Sequence, residues 1–252
     1  MPEIPHDWFT DEDFWAAAYP FMFPEERFVK AAEQVDKILR LAGFEPRTVL
    51  DLCCGPGRHS AQFAKRGFRV TGVDRSPFLL QKARQCAAAE NLDIEWIEQD
   101  MRAFRRPEGF DLAVNLFTSF GYFDDDAENR AVLRNVFESL KPGGAFLIDT
   151  LGKEPFARIF EPTGADEVPG AGWMVQRRTV SDDWSRVSVE WLLIRDGTIH
   201  THGFRHWLYS GRELKEMLRA AGFAEVQLHG NLDGIAYGPE AQRLVAVARK
   251  GK

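Results

Sequence analysis

Residues 48–60 carry the sequence TVLDLCCGPGRHS, in which a short apolar run ends at a carboxylate and a glycine-rich turn follows. The apolar run is typical of a buried strand, and Asp51 lies at its carboxyl end. Gly55 and Gly57 allow a ligand to approach the backbone closely, because glycine has no Cβ and adopts positive φ at little cost. The helix expected after the turn points its free N–H groups at whatever lies over the turn. Strand, turn and helix together indicate a nucleotide-type site in a doubly wound α/β fold.

The alternation of strands and helices continues over roughly 100 residues beyond this turn. Strands are predicted at 48–52, 68–74, 92–97, 110–117 and 145–150, with helices at 58–66, 77–90 and 124–140 between them. A capped helix from Ser210 to about Gly222 and strands at 224–229 and 244–249 complete the pattern. The prediction is a doubly wound, Rossmann-like, mostly parallel sheet with right-handed crossovers.

An N-terminal helical arm is expected over residues 1–44, with a short helix starting near Asp11 and a longer one over 24–41. Eight of the 31 aromatic residues of the chain fall within the first 28 positions. These rings either pack onto the domain or form a lid that closes over a ligand, and both interpretations stay open.

A second addition is predicted after the fifth strand, within residues 153–209. A Pro/Gly-rich passage at 161–172 is followed by three runs with strand character, and Asp196-Gly197 is a strong hairpin signal. The expected structure is an antiparallel three-stranded insert that either covers the acceptor side or forms a homodimer contact. The cofactor-binding domain then consists of residues 45–152 and 210–252.

Composition excludes several classes of protein. The net charge of −6 argues against a nucleic-acid partner, for which a basic face is the usual footprint. Cys53 and Cys54 are adjacent, Cys86 is isolated, and the histidines of residues 200–206 lack a suitably spaced carboxylate or cysteine, so neither disulfides nor a metal site are expected. The thiols are expected to be reduced, and the sequence shows neither a signal-peptide pattern nor a membrane-spanning run. We therefore predict a cytoplasmic protein without a membrane partner.

The kind of nucleotide follows from the charges at the strand ends. A dinucleotide site needs a third glycine where this chain has Ser60, and Asp51 would repel a pyrophosphate. Asp74, at the end of the second strand, can accept from both hydroxyls of a ribose, and Asp100, after the third, can accept from an exocyclic amine. Three acids in these places suit an adenosine with a positively charged tail, which is S-adenosylmethionine.

The order and spacing of five segments resemble the motifs of class I S-adenosylmethionine-dependent methyltransferases: LDLCCGPG, VTGVD, QDM, FDLAVNLFTSFGYF and LKPGGAFLID. The resemblance covers residues 45–150, and 210–249 complete the fold. It looks closest to small-molecule methyltransferases, which include the N-methyltransferases of nucleotide-linked amino sugars. It implies transfer of a methyl group to an amine or hydroxyl of a small molecule, with S-adenosylhomocysteine as the second product.

The same resemblance implies a set of site residues. Those implied to bind the cofactor are Asp51, Cys53, Cys54, Gly55, Gly57, Asp74, Arg75, Asp100, Met101, Leu116 and Phe117. Cys53 stands where the family motif has its first glycine. Tyr19 matches an N-terminal tyrosine that faces the active site in the sugar-amine enzymes. Tyr122, just past the fourth strand, is a candidate general base, with a packed loop tyrosine as the alternative reading.

Other functions and other acceptor residues also stay open. The acceptor could be RNA or protein, or the domain could bind S-adenosylmethionine without catalysis; the missing third glycine argues against a dinucleotide oxidoreductase. Residues 115–118, NLFT, lack the paired prolines that DNA amino-methyltransferases carry there. Asn231, Asp233 and Tyr237 could line the acceptor pocket, or serve only as an ordinary loop.

Overall fold

The structure is a computed structural model that describes residues 7–252, so the first six residues of the predicted arm lie outside the described residues. Seven α-helices occur within this range: Glu12–Met22 (α1), Glu25–Ala42 (α2), Arg58–Lys65 (α3), Pro77–Ala89 (α4), Asp126–Ser139 (α5), Lys153–Ile159 (α6) and Gly211–Ala220 (α7). None of the helices in residues 7–252 is long and apolar enough to cross a membrane.

Eleven strands lie in the same described range: Thr48–Leu52 (β1), Arg69–Asp74 (β2), Glu95–Glu98 (β3), Phe110–Asn115 (β4), Leu140–Thr150 (β5), Thr163–Val168 (β6), Gly172–Val180 (β7), Arg186–Arg195 (β8), Thr198–Trp207 (β9), Glu225–His229 (β10) and Leu244–Arg249 (β11). Seven of them form one sheet in the order β10-β11-β5-β4-β1-β2-β3. The pairs from β5 to β3 are parallel, and β11 runs antiparallel to both β5 and β10. This topology confirms the predicted doubly wound, mostly parallel fold.

The order reverses between β1 and β4, which are neighbours although they are separated in sequence. Such a switch point leaves a crevice outside the carboxyl ends of the strands, where ligands of α/β sheets bind. Asp51 lies in the middle of it, paired with Gly72 of β2 on one side and Val114 of β4 on the other. The fold therefore puts the most constrained turn of the sequence at the sheet position best suited to a ligand.

Both faces of the sheet are covered by helices. On one face, Leu133 of α5 and Leu218 of α7 pack with Phe146 of β5. On the other, Ile38 of α2 and Phe63 of α3 belong to a second apolar cluster. Burial of each such side chain contributes roughly 1.5–3 kcal/mol, so the two layers hold the strand ends in place.

Helices α4 and α7 begin at the capping residues that the sequence predicts. The Ser76 hydroxyl accepts from the Leu79 amide at the start of α4, with Pro77 in the first helical position. Ser210 forms a complete capping box with Glu213 at the start of α7.

The predicted three-stranded insert is wrong in one respect: the insert is a four-stranded antiparallel sheet, in the order β6-β7-β8-β9, preceded by α6. The missed strand, β6, lies inside the passage predicted as a Pro/Gly-rich connection. It is an edge strand with mostly exposed side chains, held by backbone pairing to β7. A strand of this kind carries no apolar alternation, which is the signal that a sequence can show.

The described part of the arm is packed against both the core and the insert. The Glu12 carboxylate accepts from the Ser76 hydroxyl and the Phe78 amide, both at 2.9 Å, which ties α1 to the start of α4. Phe14 of α1 packs in one apolar cluster with Leu193 of β8. The arm thus bridges the two parts of the chain that flank the carboxyl edge of the sheet.

Candidate functional site

One cavity at the carboxyl edge of the sheet brings most of the predicted site residues together. The predicted residues that line it are Asp51, Cys53, Cys54, Gly55, Asp74, Arg75, Asp100, Met101, Leu116, Phe117 and Tyr122. Gly57 and Tyr19 are not among its lining residues. Residues that sequence reasoning did not assign to the site also contribute, above all Trp8, Phe9, Trp15 and Arg27 from the arm and Arg58 from the start of α3.

The turn after β1 has three residues with left-handed backbone: Cys53 at φ 60°, Gly55 at φ 55° and Gly57 at φ 74°. Cys53 thus keeps the backbone conformation that a glycine adopts freely, at a cost of about 1 kcal/mol or more. Gly57 is required by packing, because a Cβ there would lie 2.5 Å from the ring of Trp96.

Asp74 fastens the glycine turn to the end of β2. One of its carboxylate oxygens accepts from the Gly55 amide at 2.7 Å, and the other accepts from the Ser76 amide at 3.0 Å. Burial raises the pKa of Asp74, and these backbone donors oppose the rise. Each oxygen keeps a further lone pair, so the carboxylate can also accept from two ligand hydroxyls.

Asp51 is buried below the turn and accepts a hydrogen bond from the Ser60 hydroxyl, with the two oxygens 2.5 Å apart. Burial raises the pKa of Asp51 to about 6, so the carboxylate is mainly ionised at neutral pH. Ser60 occupies the position of the third glycine in a dinucleotide site. The departure from that motif therefore supplies the donor that holds Asp51.

Asp100 lies between two guanidinium groups. Its ion pairs to Arg75 and Arg102 measure 2.7 and 2.8 Å, and the Arg102 amide donates to the same carboxylate. An exocyclic amine at Asp100 must therefore share the carboxylate with Arg75, whose side chain is 42 % exposed and can move.

Phe117 and Thr118, after β4, both have left-handed backbone, at φ 56° and 63°. Asp149 at the end of β5 accepts from the Phe117 amide at 3.3 Å and from Arg243 at 2.8 Å. Arg243 also donates to the Thr118 hydroxyl at 2.9 Å. This network, centred on the buried Asp149, holds a strained turn whose Phe117 side chain lines the cavity. Such strain clusters at functional sites.

Positive charge collects beside Phe117. The guanidinium of Arg58 lies 4.2 Å from the centre of its ring, and His59 stacks on it at 5.4 Å. Burial lowers the pKa of Arg58 to about 10, so the guanidinium stays charged at neutral pH. Burial also lowers the pKa of His59, so its imidazole is neutral at that pH. Arg27 from α2 lines the cavity as well. Arg58 directly follows Gly57 in the sequence, so its position beside the cavity follows from the glycine turn.

Another part of the cavity lining is aromatic. Trp8 of the arm lies 5.2 Å from Tyr122, ring centre to ring centre, and Phe9 lies 5.7 Å from Phe123. Both pairs are edge-to-face, a favourable arrangement for aromatic rings. The arm and the loop after β4 thus meet over the site.

The catalytic roles expected for the two tyrosines gain no support from this geometry. Burial raises the pKa of Tyr122 well above its ordinary value of 10, so almost none of it is the phenolate that a base requires. The ring of Tyr19 packs against Phe23 at 5.4 Å and Phe78 at 5.7 Å, and it does not line the cavity.

The loop between β10 and β11 does not line the cavity either. Tyr237 donates to the Glu154 carboxylate at 2.6 Å, and Asp233 forms an ion pair with Lys37. This loop has a structural role in the described chain. By contrast, His206 of β9 is buried and hydrogen-bonded to the Phe120 carbonyl at 2.9 Å, which fastens the insert to the loop that carries Tyr122.

Comparison with known proteins gives a consistent result. Residues 49–144 match the family model described as a methyltransferase domain. The chain is 30% identical over 210 residues to the cypemycin N-terminal methyltransferase of Streptomyces sp, covering 81% of this chain and 83% of that protein.

Two solved structures are similar over almost the whole chain. An S-adenosylmethionine-bound amino pentose methyltransferase from Micromonospora echinaspora is 26% identical with a TM-score of 0.70, covering 94% of this chain and 96% of that one. An S-adenosylmethionine-dependent methyltransferase from Clostridium acetobutylicum has a TM-score of 0.77 at 16% identity, covering 95% of this chain and 98% of that one, and shows the shared fold.

Proposed function

The chain belongs to the class I S-adenosylmethionine-dependent methyltransferases, and on that basis we propose that it methylates an amine or hydroxyl of a small molecule. One observation carries the proposal: a single cavity is lined both by the acids at the ends of β1 and β2 and by aromatic side chains of the arm. The acids suit the methyl donor, and the acceptor would lie beside it, toward the aromatic side chains. One relative is named as the cypemycin N-terminal methyltransferase and another as an amino pentose methyltransferase, so an amine is the first class to test.

The nucleoside half of the cofactor fits the residues at β2 and β3. Asp74 would accept from the ribose hydroxyls, because its two oxygens are already oriented by the Gly55 and Ser76 amides. Asp100 would accept from the adenine amine, and Met101 would pack beside the base. A buried charge-assisted hydrogen bond of this kind contributes roughly 1.5–3 kcal/mol.

The methionine half fits the charges at the other side of the turn. Arg27 and Arg58 would bind its carboxylate, and Leu116 and Phe117 would pack along its chain. Asp51 would attract the positive charge of the tail, because it is the ionised carboxylate below the glycine turn.

S-adenosylmethionine supplies an electrophilic methyl group on a sulfonium. The protein contributes mainly alignment and exclusion of water, an effect that reaches roughly 7–11 kcal/mol at best. The arm and the loop after β4 are the parts that would close over the acceptor, since their rings meet at the aromatic part of the lining. Tyr122 would line the acceptor side of the cavity.

The remaining assignments stay predictions. The insert, residues 153–209, would cover the acceptor side or form a homodimer contact. A cytoplasmic location is supported by the free thiols of Cys53, Cys54 and Cys86.

A cofactor-consumption screen tests the proposal. The purified chain is incubated with S-adenosylmethionine and separate pools of amines, amino sugars and phenols, and S-adenosylhomocysteine is measured by mass spectrometry. We expect at least one pool to be methylated, with the product lost in an Asp74→Ala variant. Tight cofactor binding without turnover of any pool, but with methylation of RNA or protein, would contradict a small-molecule acceptor.

A further inference from the structure

The antiparallel insert presents its two faces to different surroundings. Along each strand the side chains alternate between the faces, and residues paired across neighbouring strands share a face. Met174 and Leu193 are one such pair, and both pack in the apolar cluster that contains Phe14 of α1. This inner face is therefore covered by the arm of the same chain.

The outer face of the insert is apolar as well. The strand register places Trp173, Ile194 and Ile199 side by side in one row across β7, β8 and β9, and Val175 and Leu192 in the next row. Trp173 is 47 % exposed and Ile199 is 58 % exposed. None of the five belongs to the four apolar clusters of residues 7–252. A sheet face in water normally carries polar side chains, so two adjacent apolar rows indicate a surface that another molecule covers.

The outer face is a poor match for a small molecule or a membrane. Small-molecule sites are concave, whereas this is a sheet surface four strands wide. Within the described chain, the lining of the cavity at the carboxyl edge includes no residue of 153–209, so the outer face lies outside the proposed methyl-transfer site. The net charge of −6 would repel an anionic membrane. The remaining occupant is a protein with an extended apolar surface of its own.

The two ends of the outer face carry opposite charges. Arg177 follows the apolar rows at one end, and Asp196, in the turn between β8 and β9, lies at the other. Each has a partner in its own chain, Glu190 and Arg195 respectively, yet both stay exposed. A two-fold axis along the rows and midway between them reverses the strand direction of a second copy. It sets each apolar row on the other apolar row of that copy, and the Arg177 end on the Asp196 end.

The size of the outer face suits a specific contact. Strands lie about 4.8 Å apart and rise about 3.4 Å per residue, so four strands over the nine residues of β7 cover roughly 600 Å² before the corrugation of side chains is added. A standard interface takes about 800 Å² from each partner. Two such sheets pack face to face about 10 Å apart in a β-sandwich.

We propose that the outer face of the insert is a homodimer interface, in which two copies of this chain pack as the two layers of a β-sandwich. The row of Trp173, Ile194 and Ile199 in one copy contacts the row of Val175 and Leu192 in the other, and the two-fold symmetry repeats this contact. The interface contains none of the residues that line the cavity, so dimerisation and cofactor binding are separable.

Sedimentation velocity on the full chain tests the dimer. Loading concentrations run from about 1 μM to about 100 μM, which brackets the dissociation constant expected for a contact of modest size. We expect the mass of two chains at the upper concentrations. The mass of one chain throughout the range would overturn the proposal.

Two isoleucines of equal exposure provide matched variants. Ile199→Asp puts a carboxylate into the outer face, and Ile159→Asp makes the same change at the end of α6; both isoleucines are 58 % exposed. We expect Ile199→Asp to weaken the dimer about tenfold or more, because its carboxylate loses water on association, and Ile159→Asp to leave the dimer unchanged. Circular dichroism checks that both variants fold, independently of any activity.

The other outcomes also decide the question. Equal dimerisation of the two aspartate variants would place the contact elsewhere and overturn the proposal. Flotation of the unchanged chain with phosphatidylcholine vesicles, in place of self-association, would overturn it in favour of a lipid surface. Trp173→Ala, which truncates a half-exposed ring on the same face, should weaken the dimer too, and it keeps the test decisive if Ile199→Asp does not fold.

Discussion

Ser60 donates a hydrogen bond from its hydroxyl to the buried carboxylate of Asp51, across a distance of 2.5 Å. Ser60 belongs to the first turn of α3, and Asp51 belongs to β1, so this bond joins the two elements that flank the glycine turn. Ser60, which replaces the third glycine of the dinucleotide pattern, therefore has a structural function of its own. It orients a negative charge under the place where a cationic tail would lie.

Loss of this hydroxyl should lower the stability of the protein. Ser60→Ala leaves a buried carboxylate without its side-chain donor, which costs about 1–3 kcal/mol in the free energy of unfolding at pH 7. A urea titration measures the effect. A double-mutant cycle with Asp51→Asn supplies the control, since the two changes should be less than additive. Full additivity would show that the two side chains act independently.

The strained turn after β4 should depend on Asp149. Asp149→Ala removes the acceptor of the Phe117 amide and the partner of Arg243, so we expect a loss of about 3 kcal/mol in the free energy of unfolding. Asp149→Asn keeps one acceptor oxygen and should lose less. Urea unfolding of both variants gives the comparison, and equal losses would mean that the charge on Arg243, not the Phe117 amide, accounts for the whole effect.

Buried histidines should make the protein less stable in mild acid. Burial lowers the pKa of His206 from 6.5 to about 4, so the unfolded chain takes up the proton first as the pH falls. The free energy of unfolding therefore decreases from pH 6.5 to 4, by up to about 3 kcal/mol from this residue. His59 acts in the same direction, whereas Asp51, with a raised pKa, acts in the opposite one.

The contribution of His206 is isolated by comparison with His206→Gln, which can still donate to the Phe120 carbonyl. Thermal or urea unfolding at several pH values should show a flatter acid limb for the variant. Parallel pH profiles for the two proteins would contradict a lowered pKa at His206.

The arm should loosen when its tie to α4 is removed. Glu12→Gln weakens the acceptor for the Ser76 hydroxyl and the Phe78 amide, so hydrogen exchange at residues 8–22 should become faster. Asp13→Asn is the matched control, because it changes the same charge in the same helical turn at an exposed position. Slower exchange on adding S-adenosylhomocysteine would support the lid interpretation. Equal exchange rates at residues 8–22 in the two variants would show that the Glu12 hydrogen bonds do not hold the arm in place.

Much of the fold could be predicted because local chemistry sets it. Ser76 followed by Pro77 favours a helix start through local contacts alone, and buried parallel strands show continuous apolar runs. β6 could not be predicted, because backbone pairing at an edge leaves no trace in its side chains.

The site was predictable in part, for a related reason. Asp74 stands at a strand end whose position follows from the fold, and the structure puts it in the cavity. Trp8 and Arg27 reach the same cavity only through long-range packing of the arm, which sequence spacing does not encode. Tyr19 lies one helical turn after Trp15, and nothing local tells which of the two rings lines the cavity.

The central claim, that this cavity binds S-adenosylmethionine, is tested most directly by calorimetry on the full chain. We predict that S-adenosylmethionine and S-adenosylhomocysteine bind with one site per chain, that NAD does not bind, and that Asp74→Ala weakens binding about tenfold or more because a carboxylate to the ribose hydroxyls is lost. Tight binding of NAD without binding of S-adenosylmethionine, or an unchanged affinity in Asp74→Ala, would contradict this account of the site.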